Sequence, residues 1–287
     1  MHRKSLAVAA AMATMIALPA NAADIPIHIP LPAPPPPVEV FAGGWYLRGD
    51  ISMTNQQSKV PRNRQLEAEN PGDTIEWLQS EFDSGVALGA GVGYRFNSWL
   101  RTDVTGEYRG RTRYSGVERV RWATEPTGAW NQTNEFTADK TEAVALVNAY
   151  LDLGTWWGIT PFVGAGIGVA HVTIGNFQDR ATGNQPDGTL IAGHALYRNA
   201  SRTNLAWALH AGAGYEVNDR LTLELAYRYL NMGRGVTGQG GRFTNMDRIA
   251  NNWEFRDLHS HDLRFGMRWN LHGPSSAPVH RPLSRAF

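Results

Sequence analysis

Read in steps of two, the chain separates into an apolar and a polar face over one segment after another. From 100 to 109, Leu100, Thr102, Val104, Gly106 and Tyr108 fall on one face. Arg101, Asp103, Thr105, Glu107 and Arg109 fall on the other. From 221 to 230, Leu221, Leu223, Leu225, Tyr227 and Tyr229 oppose Thr222, Glu224, Ala226 and Arg228. Near the C-terminus Leu263, Phe265, Met267, Trp269 and Leu271 oppose Asp262, Arg264, Gly266, Arg268 and Asn270. A period of two is the signature of a strand whose faces meet different surroundings.

Three further segments, starting near Trp45, Val86 and Leu205, alternate in the same way. Two more, 141–155 and 159–174, alternate less cleanly. Val144 and Leu146 interrupt the first, and Gly164, Gly166 and Gly168 lie on the polar face of the second. The eight predicted strands are joined alternately by tight turns, at 97–99, 156–158 and 218–220, and by polar connectors of some 25 residues, at 57–81, 116–140, 176–203 and 233–256. Short turns on one rim and long loops on the other is the plan of an outer-membrane barrel with its short side periplasmic.

A soluble barrel also alternates, with its apolar face inward. Three features favour the inverse. The polar face carries Arg48, Arg95, Arg101, Arg109, Arg228, Arg264 and Arg268 against Asp50, Asp103, Glu107, Asp152, Glu216, Glu224 and Asp262. Such a balance suits a narrow lumen, where an unpaired charge is costly. Aromatics gather near the short turns, at Tyr94, Phe96, Trp99, Trp156, Trp157, Tyr215 and Trp269, as in a membrane-interface girdle. The apolar face carries no charge in the central part of the clearest strands, where Arg or Lys would cost roughly 2–4 kcal/mol at the bilayer midplane.

The termini fit export. His2, Arg3 and Lys4 precede an apolar run from Leu6 to Leu18 and a small-residue cleavage site at Ala20-Asn21-Ala22. Residues 1–22 are therefore expected to be a signal peptide, with the mature chain starting at Ala23. Residues 23–43 are expected to form a proline-rich periplasmic linker, 44–271 the barrel, and 272–287 a flexible tail. Cysteine is absent, which excludes disulfides and thiolate metal sites. A net charge of +1 gives no basis for nucleic-acid binding.

The segment 160–170, TPFVGAGIGVA, and the pattern Arg264-x-Gly266-x-x-Trp269-x-Leu271 are similar to motifs of the OmpA-like and opacity-type family of eight-stranded outer-membrane proteins. The chain resembles in particular the major outer-membrane proteins of alphaproteobacteria, whose mature chains often begin with Ala-Asp and a proline-rich stretch, here Ala23-Asp24-Ile25-Pro26. The resemblance covers roughly 40–271. It implies an all-β, eight-stranded antiparallel transmembrane up-and-down β-barrel with four long extracellular loops. It also implies that Arg264, Gly266, Trp269 and Leu271 form an assembly signal. The chain departs from the family in the tail after the last strand, which leaves the terminal Phe287 outside any strand.

An eight-stranded barrel has an interior just wide enough for side chains to fill. The expected function is structural. It comprises envelope integrity and surface interaction through the loops, with the lumen plugged by ion pairs. The expected partners are outer-membrane lipid and lipopolysaccharide, the outer-membrane assembly machinery, and a host or surface ligand reached by the loops. No cofactor is expected. A narrow ion or solute channel and a lipid A-modifying enzyme are the alternatives. For the enzyme, His259-Ser260-His261-Asp262 is the one dense cluster, but alternation sends Ser260 and Asp262 to one face and both imidazoles to the other. His171, His194 and His210 are scattered without metal-site spacing, and His210 reads as a lumen residue.

Overall fold

The computed structural model describes residues 43–124, 127–184, 187–240 and 251–271. The segment 1–22, all but the last residue of 23–43, and the tail 272–287 lie outside the described residues.

Among the described residues, ten strands and one short helix form: β1 (Gly44–Gln57), α1 (Arg64–Glu69), β2 (Thr74–Phe82), β3 (Gly85–Arg95), β4 (Leu100–Arg121), β5 (Gln132–Asp152), β6 (Ile159–Asn184), β7 (Leu190–Leu196), β8 (Ala200–Glu216), β9 (Leu221–Val236) and β10 (Glu254–Asn270). Eight of the strands close into an antiparallel ring in the order β1-β3-β4-β5-β6-β8-β9-β10. The ring shuts where β10 pairs with β1, from Tyr46 opposite Asn270 to Gln57 opposite His259. Closure leaves no open edge among the eight, which is what lipid demands of a sheet.

The periplasmic turns form as their residues dictate. Asn97 Oδ1 accepts from the backbone N–H groups of Trp99 and Leu100, and Asn218 Oδ1 does the same for Arg220 and Leu221. The middle turn, between β5 and β6, puts Trp157 and Gly158 at φ 52° and 79°. Two successive positive φ angles are what a tight type I′ hairpin requires.

The connectors expected as long loops are largely wall. β4, β5 and β6 run to 22, 21 and 26 residues, against the roughly 9–11 that cross a bilayer. β2 pairs with the upper half of β4, from Thr74 opposite Arg121 to Phe82 opposite Tyr114, and β3 takes over lower down, from Ala87 opposite Arg109. The two occupy one position in the wall, broken at 83–84. β7 and β8 share a position beside β6 in the same way, broken at 197–199.

The cause of the misreading is physical. Above the membrane the outer face meets water, so the polarity of the two faces reverses. On β4 the outward Val104 and Tyr108 give way to Arg111 and Arg113. The buried positions meanwhile pass from Arg101 and Arg109 to Tyr114. A bulge between Arg109 and Thr112 resets the phase.

Candidate functional site: the lumen, its girdle and its roof

On the outside, an apolar band runs up to Met53, Val86, Tyr108, Ala143, Val169, Leu205, Tyr229 and Leu263. Asn55, Arg111, Thr141, His171, Thr203 and His261 follow above it, all outward. At the lower edge Phe96, Trp99, Trp156, Trp157, Tyr215 and Trp269 are exposed and Tyr94 is half-buried, together with Trp45. Trp45 and Tyr94 meet edge to face at 5.3 Å. At the upper edge Tyr108, Trp207, Tyr227 and Tyr229 form a second aromatic group. Its signal was available in the sequence, because these rings stand at the far ends of the same apolar faces.

Inside, the lower lumen holds seven buried cations and seven buried anions among the described residues. They are Arg48, Arg101, Arg109, Lys140, Arg228, Arg264 and Arg268, with Asp50, Asp103, Glu107, Glu142, Asp152, Glu224 and Asp262. Every one of them is within ion-pair distance of another. Arg48 reaches Asp103 at 2.7 Å and Asp50 at 2.8 Å. Glu224 is shared by Arg268 at 2.7 Å and Arg101 at 3.1 Å, and Arg101 also meets Asp152 at 3.0 Å. Arg264 lies 2.9 Å from Asp50. Higher up, Arg228 holds Glu107 and Asp262, both at 2.7 Å, while Arg109 contacts Glu107, Glu142 and Asp262 at 2.8–3.0 Å.

Two of the fourteen residues expected from alternation sit elsewhere. Arg95 is only partly buried and 3.7 Å from Asp152. Glu216 is exposed at the lower end of β8, next to the last turn. Lys140 and Glu142, 2.5 Å apart, join this network at the boundary of the expected connector 116–140 and the weakly alternating segment 141–155, where the period gives no clear face. Lys140 lies 4.4 Å from the Phe82 ring centroid and marks where the ionic lumen ends and an aromatic layer begins.

Neutral groups lie among the charges. His210 is buried, with Nε2 3.1 Å from Asn148 Oδ1, and Asn148 donates to Asp103 at 2.8 Å. Glycines make room for the large rings. A Cβ on Gly164 would come to 2.5 Å from Tyr150 Cδ1, and one on Gly266 to 2.6 Å from Asp50 Oδ1. Val144 and Leu146, which break the alternation of β5, are buried against Ala206, Ala208 and Leu230. Ser260 and Asp262 face the lumen and receive hydrogen bonds from Arg109, whereas His259 and His261 are on the opposite face of β10, with His261 Nδ1 2.6 Å from the Tyr227 hydroxyl. On the last strand Arg264 points inward, while Trp269 and Leu271 are exposed outside.

Above the ionic layer the interior is aromatic. Phe82, Tyr114, Phe136, Phe177, Tyr197, Trp253 and Phe255 pack together, with Trp253 4.9 Å from Phe136 and 5.7 Å from Phe177 between ring centroids. Leu66 of the first connector packs against this cluster, and Trp253, just before β10, is part of it. The backbone of Arg62 pairs with that of Glu254, Asn63 donates to the Asn251 carbonyl at 2.9 Å, and Gln65 accepts from the Asn251 N–H at 2.8 Å.

Residues 8–269 match the family model for the outer membrane protein beta-barrel domain. The chain belongs to that family. An uncharacterized protein of Brucella abortus (strain 2308) is 34% identical over 206 residues, which cover 67% of this chain and 69% of that one. Outer membrane protein PagN of Salmonella typhimurium is 28% identical over 157 residues, 53% of this chain and 58% of PagN. Among solved structures, the outer membrane protein OprG from Pseudomonas aeruginosa matches 80% of this chain and 97% of its own length, at 14% identity and a TM-score of 0.41. This family member is thus an eight-stranded transmembrane barrel of the outer membrane, with two additional strands in its extracellular wall.

Proposed function

We propose that this barrel is a structural and surface-interaction protein of the outer membrane whose lumen is closed to solutes by its ion pairs. The observation that carries this reading is the seven-against-seven balance of buried, mutually paired charges. A pore would keep water between such groups. The ion pairs that span this lumen, and the cluster of buried rings above them, support a closed interior.

The ordered extracellular wall supports the second half of the reading. A rigid scaffold that lifts connectors above the bilayer suits contact with lipopolysaccharide or with a surface ligand. Arg111, Arg113, Arg202 and Lys59 are exposed above the apolar band, at the level where anionic headgroups lie. Assembly into the membrane would use Arg264, Gly266 and Trp269 of β10 with Leu271 just after it.

Liposome swelling tests the closed lumen. Purified protein is expected to leave sugar permeation at the level of empty vesicles. Rapid swelling, or steady single-channel conductance abolished by neutralising Arg101 and Glu107, would replace this reading by the channel.

A further inference from the structure

Above the apolar band the outer face of the wall carries a polar groove. Arg113 on β4, Glu135 and Thr137 on β5, and Gln178 and Arg180 on β6 enclose about 270 Å³. Strand register fixes its layout. Thr137 is level with Ser115 and Gln178, Arg113 lies one outward position lower on β4, and Arg180 lies one outward position higher on β6. The two arginines thus flank Thr137 diagonally, on strands roughly 10 Å apart across β5.

Neither arginine is neutralised by the sheet. Asp139 is opposite Arg113, but it is held by Arg111 at 3.8 Å and by Asn176 Nδ2 at 2.8 Å. Glu135 is opposite Arg180 without an ion pair between them, and the Arg180 guanidinium donates to Gln178 Oε1 at 3.4 Å. Among the described residues neither Arg113 nor Arg180 has an ion-pair partner. Two cations against one carboxylate leave the groove positive.

Its place decides what reaches it. Arg113 stands five residues beyond Tyr108, the last apolar residue on the outward face of β4. With a rise of about 3.3 Å per residue and a tilt of about 40°, that is roughly 12 Å above the hydrocarbon. The groove opens sideways, along the membrane plane, where the sugars of neighbouring lipopolysaccharide stand. Its volume is at the small end of ligand pockets and suits a single sugar. Its polar lining offers no seat to an acyl chain. Planar guanidinium groups take phosphate or carboxylate in forked hydrogen bonds.

We propose that this groove binds an acidic sugar of the lipopolysaccharide core. Arg113 and Arg180 hold its phosphate or carboxylate, and Glu135, Thr137 and Gln178 meet its hydroxyl or amino groups. On the reading of the barrel as a surface-interaction protein, on which this assignment rests, the extracellular wall is fastened sideways to the lipopolysaccharide around it.

The test uses full-length protein folded in detergent micelles free of lipopolysaccharide. Calorimetry measures binding of lipopolysaccharide that has its core but no O-antigen, and of the soluble core oligosaccharide left when its acyl chains are removed. Both should bind the wild type. Arg113→Ser and Arg180→Ser should each weaken binding of the oligosaccharide about tenfold. Lys59→Ser, which removes an exposed cation just past β1, should leave it unchanged. All three positions are exposed, so the variants should keep the folded, heat-modifiable band. Arginine variants that bind like the wild type overturn the groove and leave the surface-interaction reading standing. So does an equal loss in Lys59→Ser, which would mean diffuse attraction between charges. Binding of heparin without binding of the oligosaccharide overturns the groove in favour of a soluble glycan. A wild type that binds none of the three overturns the groove and that reading together.

Discussion

Arg109 grips Asp262 across the lumen with both terminal nitrogens, Nη1 to Oδ2 at 3.0 Å and Nη2 to Oδ1 at 3.2 Å, although 153 residues separate them in the chain. Forked pairing of this kind needs the planar guanidinium. The same side chain also binds Glu142, Glu107 and Ser260. Arg109→Leu would leave Glu107, Glu142 and Asp262 with only Arg228 and Lys140 between them, an uncompensated negative charge in the interior. The expected loss is about 3–5 kcal/mol, the usual cost of breaking a buried pair from one side. Urea unfolding in micelles measures it, and Arg109→Lys should recover only part of the loss.

The orientation of the two faces makes a paired prediction. Leu209 is outward in the apolar band of β8, whereas Leu190 is outward on β7 in the extracellular wall. Leu209→Arg should cost about 2–4 kcal/mol in a bilayer. Leu190→Arg should change stability by less than about 0.5 kcal/mol, as at other water-facing positions. Equal effects at the two sites would contradict the placement of the lipid boundary.

Gly164 tests the packing of the lumen. Its missing side chain is the space in which the Tyr150 ring lies, and that ring in turn stacks under Arg101, 4.3 Å from its guanidinium carbon. Gly164→Val should overpack the site and cost about 1–3 kcal/mol. Tyr150→Ala in the same protein should remove most of the clash, so the two changes together would cost less than their sum. A double-mutant cycle read by thermal unfolding gives the coupling directly.

Thermal stability should fall with rising pH in the window set by Glu118 on β4 and Asp179 on β6, both buried in the wall above the membrane. Both have folded values above their ordinary ones, so protons released between about pH 5 and about pH 8 cost stability. Melting curves of the wild type should show this decline. Curves of the protein carrying Glu118→Gln and Asp179→Asn should be flatter across the same range.

The sequence alone determined how many strands cross the membrane, which face of each meets lipid, and where the periplasmic turns fall. Hydrocarbon on one side and paired charges on the other leave a period of two in the membrane-crossing part of the eight ring strands, cleanest in β4, β9 and β10, and Asn97, Gly158 and Asn218 mark the turns. The same logic located most of the charged lumen, because a narrow interior asks for opposite charges in equal number. It could not extend past the membrane, where water replaces lipid and the polarity of the faces reverses. Phe136, Lys140 and Phe177 there look like parts of polar loops. Only the tertiary structure decided that these segments stand as wall, that Glu216 falls outside the lumen, and that Glu118 and Asp179 are buried in the wall above the membrane. Those outcomes depend on strand register and on pairing between residues far apart in the chain, such as Arg62 with Glu254, and neither is written in local periodicity.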